Sequence, residues 1–191
     1  MSDVFEILRQ DHEQVKAMLA QLEAGPTVRS GASQAQLEER KKLTEQMIIE
    51  ESRHEAVEEQ YFWPAVRDQG AAGENVAAQA VSQEQDAKQV LAELDKLEPA
   101  DERFETLVTK FTADAREHIT FEETQAWPIL RVRISAEEAA ELGEKLAKAK
   151  GSAPTRPHPH TPPSEGVLKT AGPVVAAADK ARDAVTGRGQ D

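Results

Sequence analysis

Two short motifs in the sequence have the residue types and spacing to do chemistry. His54-Glu55-Ala56-Val57-Glu58 and His118-Ile119-Thr120-Phe121-Glu122 each set a histidine four residues before a glutamate. On a helix, residues four apart share a face, with Cβ atoms about 5–6 Å apart. An imidazole and a carboxylate so placed can reach one cation, or simply form an ion pair. Their repetition favours the cation. Residues 54–64 recur at 118–128 after a shift of 64, with His, Glu-Glu and Trp-Pro in register. Residues 12–22 recur at 84–94 after a shift of 72, with Lys, Leu, Ala and Leu in register and Glu84 in the place of His12. Residues 1–150 hold three histidines, His12, His54 and His118, and all three fall in these repeats. The candidate metal ligands are therefore His12, His54, Glu58, Glu84, His118 and Glu122. Glu84 rests on the repeat register alone, and a solvated glutamate is its ordinary alternative. Mixed imidazole and carboxylate ligation without sulfur suits iron, manganese or zinc. Carboxylates can bridge two cations, whereas imidazoles bind terminally. Glu59 and Glu123 stand about 100° further round the helix and read as supporting groups. Trp63 and Trp127 read as core anchors, Tyr61 as a packing residue, and Pro64 and Pro128 as points where a helix kinks or restarts.

These residues need helices to hold them. Apolar Phe5, Leu8, Val15, Met18, Leu19 and Leu22 share one side of a helix over about 3–22, which Gly25-Pro26 ends. A second helix starts near Ser33, with Gln36 completing a capping box, and runs to about Arg67. A third spans about 71–97 and a fourth about 101–132. A short fifth opens at Ser135, with Glu138 as its capping-box partner, and runs to about Lys148. Short connections between long amphipathic helices imply antiparallel neighbours. The expected fold is all-α: an up-down antiparallel four-helix bundle with a short fifth helix.

Composition divides the chain near residue 150. Residues 1–150 carry 18 basic and 31 acidic side chains, whereas 151–191 carry 5 and 4. The second part opens Gly151-Ser152-Ala153-Pro154 and runs through Pro157, Pro159, Pro162 and Pro163, so a continuous helix is excluded there. We expect a domain over 1–150 and a Pro-rich, mostly disordered tail over 151–191. In that tail, 151–165 would be a mobile linker and 173–186 a short amphipathic helix with Val174, Val175, Ala178 and Val185 partly on one side, docked on the bundle or on a partner, or loose. His158 and His160 read as linker residues rather than ligands. The net charge of −12 argues against nucleic acid as a partner, since phosphate binding needs a basic surface. No apolar run approaches the roughly 20 residues of a membrane span. The N-terminus has no basic flank or apolar stretch, so no signal peptide is expected and a cytoplasmic location is the default. With no cysteine in the chain, disulfides, thiol catalysis and thiolate metal sites are excluded.

Over about residues 3–132 the sequence resembles the hemerythrin-like family of HHE cation-binding domains. The family pattern is a His on the first helix, His-x-x-x-Glu on the second, a His on the third and His-x-x-x-Glu on the fourth. It carries over to His12, His54, Glu58, His118 and Glu122, with Glu84 in place of the third-helix His. The resemblance implies a four-helix bundle holding two non-haem iron ions, with bridging carboxylates and often a bridging oxygen. It also implies a small diatomic or peroxide ligand. Besides Glu84, the chain departs from the oxygen carriers of the family in lacking their extra His beside the second-helix ligand. Three carboxylates, Glu58, Glu84 and Glu122, would cancel half the charge of two ferric ions and favour the oxidised state. Reversible oxygen carriage is disfavoured on that ground. The protein ligands also leave coordination positions open, as catalysis requires. The first expectation is thus a di-iron protein reacting with oxygen or hydrogen peroxide in a catalase-like or peroxide-scavenging role. Its alternatives are a non-catalytic binder or sensor of oxygen, nitric oxide or iron, and a purely structural bundle of buried His-Glu pairs.

Overall fold

The computed structural model describes residues 2–161 and 165–189, without the side chains of 165–171. The chain is all-helical, with no strand among the described residues. Helix α1 spans Val4–Ala24 and is capped by Asp3, whose carboxylate accepts from the Glu6 amide. Helix α2 spans Gln34–Val57 and opens with the expected Ser33/Gln36 capping box. It passes through a π-helical turn, Glu58–Phe62, into α3, Trp63–Arg67. After α4 (Ala71–Leu94) the pattern recurs: α5 (Phe104–Phe121) runs through a π turn, Glu122–Ala126, into α6 (Trp127–Arg131). Helix α7 (Ala136–Lys150) has the expected Ser135/Glu138 box, and α8 spans Glu165–Thr186.

Each π turn has a local cause. Proline lacks an N–H, and its ring clashes with the carbonyl four residues back. The chain widens by one residue just before each Trp-Pro, so that the Trp63 amide bonds to Glu58 O and the Trp127 amide to Glu122 O. The expected kinks at Pro64 and Pro128 thus take this form, and each π turn begins on a glutamate of the repeated motif. Single π turns in α-helices are frequent at functional sites.

Two pairs of sequential helices, α1–α2 and α4–α5, run in opposite directions. Arg40 donates to Leu22 O at 2.7 Å towards one end of the α1–α2 pair, while His54 meets Asp11 at 3.4 Å towards the other. In the α4–α5 pair, Arg103 bonds Glu93 and His118 bonds Gln83. Gly73, in the first turn of α4, permits a tight approach to α3: a Cβ there would stand 2.0 Å from Val66 O.

The apolar residues form two clusters. One gathers Phe5, Leu8, Phe62, Trp63, Trp127 and Leu130; the other gathers Leu19, Met47, Leu91, Phe104, Phe111 and Ile119. Helices α1, α2 and α4 contribute to both, as does α5 with its continuation α6, and polar residues stand where each passes from one cluster to the other: Asp11 and His12, His54 and Glu58, Glu84 and Lys88, His118 and Glu122. The fold therefore holds a polar layer between two dry ones. That layer carries all six candidate ligands.

The tail departs from the expected loose segment. Ala153 and Thr155 are buried. Among the described side chains of α8, Ala176, Asp179 and Asp183 are buried, whereas Val174 and Val185 are exposed. The helix thus docks through a polar stripe rather than the expected valine face. Asp183 accepts from Arg156 at 2.7 and 3.1 Å, and Asp179 pairs with His158 at 2.8 Å. Arg156 also bonds Asp95 on the bundle at 3.0 Å, and Gln85 donates to Pro159 O. Charge pairs hold a segment whose prolines deny it a helix of its own. Residues 162–164 of the expected linker lie outside the described residues.

Candidate metal centre

All six candidate ligands face one another in the polar layer, and they form two groups. Ligand atoms of His12, His54, Glu58 and Glu122 lie within 4.8 Å of one another, as do those of Glu58, Glu84 and His118. Glu58 belongs to both. A carboxylate shared between two such groups is within reach of a cation in either.

Hydrogen bonding points to cations as well. Seven buried atoms facing this layer lack a hydrogen-bond partner: Nε2 of His12, His54 and His118, both Glu58 oxygens, Glu84 Oε2 and Glu122 Oε2. His12 Nε2 and Glu122 Oε2 are only 2.9 Å apart, and His54 Nε2 and Glu58 Oε2 3.1 Å, yet neither pair is aligned as donor and acceptor. An orphaned buried polar atom costs about 1–3 kcal/mol, so a cluster of them needs a compensating partner. These atoms are donors suited to iron, manganese or zinc.

The outer nitrogen of each imidazole is held. His12 Nδ1 donates to Glu123 at 2.9 Å, His54 Nδ1 to Asp11 at 3.4 Å and His118 Nδ1 to Gln83 at 3.0 Å. Fixing the proton on Nδ1 presents the Nε2 lone pair to the centre and makes it more basic. The two tryptophans are more than core anchors. The Trp127 indole donates to Glu122 Oε1 at 2.9 Å and stacks on His12 at 5.6 Å between centroids. The Trp63 indole donates to Glu84 Oε1. Each leaves the other carboxylate oxygen aimed inward. Tyr61 packs at the edge of the first apolar cluster, as expected.

Charge in the layer is unbalanced. Burial, reinforced by Glu122, pushes Glu58 well above the usual carboxylate range. Burial, then Glu59 and Glu58, do the same to Glu84. Burial opposes ionisation of Glu122, but His12 and His54 hold it low. Burial opposes protonation of His54, but Glu58 and Asp11 raise it well above its ordinary value. Burial lowers His118 to about 4. A divalent or trivalent cation would supply the positive charge that this layer lacks.

The repeat extends further than the ligands. Lys16 reaches Glu123 at 3.3 Å, and its counterpart Lys88 reaches Glu59 at 2.5 Å. Both glutamates flank the motif ligands as expected, although Glu59 turns to a buried lysine rather than to a histidine. Asp11 and Gln83 were not distinguishable as supporting residues from their types. The 72-residue shift nevertheless superposes them, and each holds the histidine of the neighbouring helix.

The hemerythrin HHE cation-binding domain model matches residues 3–130 of this chain. Among solved structures, the chain is similar to a hemerythrin HHE cation-binding domain-containing protein from Mycobacterium kansasii. The TM-score is 0.64 and the identity 22%, over 94% of this chain and 99% of that one. At that identity the likeness bears on the fold alone. No curated protein matches the chain. Among the described residues, no helix is long and apolar enough to cross a membrane.

Proposed function

The chain belongs to the hemerythrin HHE cation-binding domain family. From that membership we propose that residues 1–150 form an up-down four-helix metal-binding domain with a fifth helix, and that 151–191 form its tail. The domain holds two non-haem iron ions, which supply redox exchange with hydrogen peroxide or oxygen. His12, His54 and Glu122 hold one ion, Glu84 and His118 the other, and Glu58 belongs to both. The observation that carries this reading is the pair of buried ligand groups sharing Glu58. The chain's own part is to fix the ligands between two dry layers. Asp11, Gln83 and Glu123 orient the imidazoles, Trp63 and Trp127 orient the carboxylates, and an apolar layer lies on either side of the centre along the bundle. The role is catalase-like: two peroxides give two waters and one dioxygen, a disproportionation that needs no outside reductant. Three carboxylates around the ions favour their oxidised state and disfavour reversible oxygen carriage. A cytoplasmic location and a small diatomic or peroxide ligand complete the reading.

Dioxygen release on adding hydrogen peroxide to iron-loaded protein tests it. We expect release that Glu58→Gln abolishes. Iron-loaded protein that releases none would overturn the catalytic reading in favour of non-catalytic binding or sensing of oxygen, nitric oxide or iron.

A further inference from the structure

The two halves of the centre differ in access. The group around His12 is closed: the side chains of His12, His54 and Glu122 are 1%, 5% and 0% exposed. Helix α7 packs on α1 and α2 beside it, and Lys150 at its end ties Asp11 at 2.6 Å and Glu50 at 3.4 Å. The other group is open. A cavity of about 150 Å³ lies among α2, α4 and α5, and both Glu84 and His118 line it. None of His12, His54 and Glu122 does. His118 is the most exposed of the candidate ligands, at 14%. The cavity reaches the surface, since exposed Lys110 and Glu117 also line it. Buried, unpartnered oxygens of Glu84 and Glu55, both belonging to residues that line this space, give it polar anchors at its inner end. The 72-residue register suggests why the space exists: Ala87, on its wall, stands in the place of Val15.

The lining also selects by charge. Its acids are Glu51, Glu55, Glu84, Asp86, Asp114 and Glu117, against Lys110, which is bonded to Asp114. An entering anion finds no uncommitted cation on the way and carboxylates at the mouth, whose field repels it. A water occupies roughly 30 Å³ of liquid, so the cavity admits molecules of a few heavy atoms.

We propose that this cavity is the ligand entrance, that it takes small neutral molecules rather than anions, and that they meet only the ion at Glu58, Glu84 and His118. The inference rests on the di-iron reading above. Two variants narrow the cavity without touching a ligand. Ala87→Leu acts from a half-buried wall position and keeps a strong helix former; Ala115→Leu acts from the buried opposite wall. Nitric oxide, as a neutral probe, is mixed with the reduced, iron-loaded protein and followed by visible absorption in a rapid-mixing instrument. Azide, as an anionic probe, is titrated into the oxidised protein.

The expected result is two irons per chain in each folded variant, with nitric oxide binding at least tenfold slower. Azide should bind the parent weakly, and Asp114→Asn, which frees Lys110, should tighten it several-fold. Full iron content with an unchanged nitric oxide rate in both cavity variants overturns the entrance alone. Tight azide binding that Asp114→Asn leaves unmoved overturns the charge selection. Failure of the parent to take up iron overturns the underlying reading as well.

Discussion

Replacing Glu84 by glutamine removes one negative charge from the centre while keeping its shape and the acceptor used by Trp63. In the metal-free chain, burial and the neighbouring carboxylates Glu59 and Glu58 raise the Glu84 pKa well above 4.5. A raised carboxylate costs the fold nothing below pH 4.5, where folded and unfolded chains are both protonated. As pH rises, the unfolded chain ionises first, and stability falls until the folded pKa is passed. Each pH unit in that window is worth about 1.4 kcal/mol, so between 4.5 and 7 the loss from Glu84 is at most about 3 kcal/mol. Glutamine escapes it. For a chain of this length 1 kcal/mol moves Tm by about 2–4 °C, so metal-free Glu84→Gln should melt up to about 10 °C higher than the parent at pH 7. At pH 4.5 the two should melt together. The assay is a thermal melt after chelation at both pH values. With iron the order reverses, because the variant loses a ligand of the second ion and gains less from metal. A variant that melts lower at both pH values, or by an amount independent of pH, would refute the claim that Glu84 is a buried charge awaiting a cation.

Asp11→Ala should release the His54 ring and weaken the ion at His12 and His54 about 10–100-fold, which chelator competition would register while the ion at Glu84 and His118 is kept. Gly73→Ala drives a methyl into the Val66 carbonyl; a loss of about 1–3 kcal/mol in urea unfolding is expected. Arg156→Ala removes the pairs to Asp183 and Asp95. Amide exchange should then accelerate in 155–161 and leave α1 and α5 unchanged.

The centre was legible in the sequence because its ligands obey a local rule. His54 and Glu58, like His118 and Glu122, are one helical turn apart, so spacing alone puts each pair on a common face. The repeat supplied the partners on the other helices, including Glu84. The capping boxes at Ser33 and Ser135 were legible for the same reason, since each closes within three residues. Contacts that cross the bundle were not. Asp11 and Gln83 share a repeat position, but each accepts a hydrogen bond from a histidine about 40 residues away, which residue type does not announce. The indole bonds of Trp63 and Trp127 were hidden because a large apolar ring predicts burial first and a donor second. Pro64 and Pro128 announced an irregularity, but not that a π turn would absorb it on the ligand glutamates. How the tail docks was not legible in its valines: α8 is held by Asp179 and Asp183 against Arg156, Thr155 and His158, a pairing between distant polar residues that hydrophobic periodicity does not contain.

The central claim is that Glu58 joins two cation sites. Elemental analysis of iron per chain, in the parent and in Glu58→Gln after identical loading, tests it most directly. The account predicts about two irons in the parent and fewer than one in the variant, because each group then loses a shared ligand. One iron or none in the parent, or two retained by the variant, would contradict it.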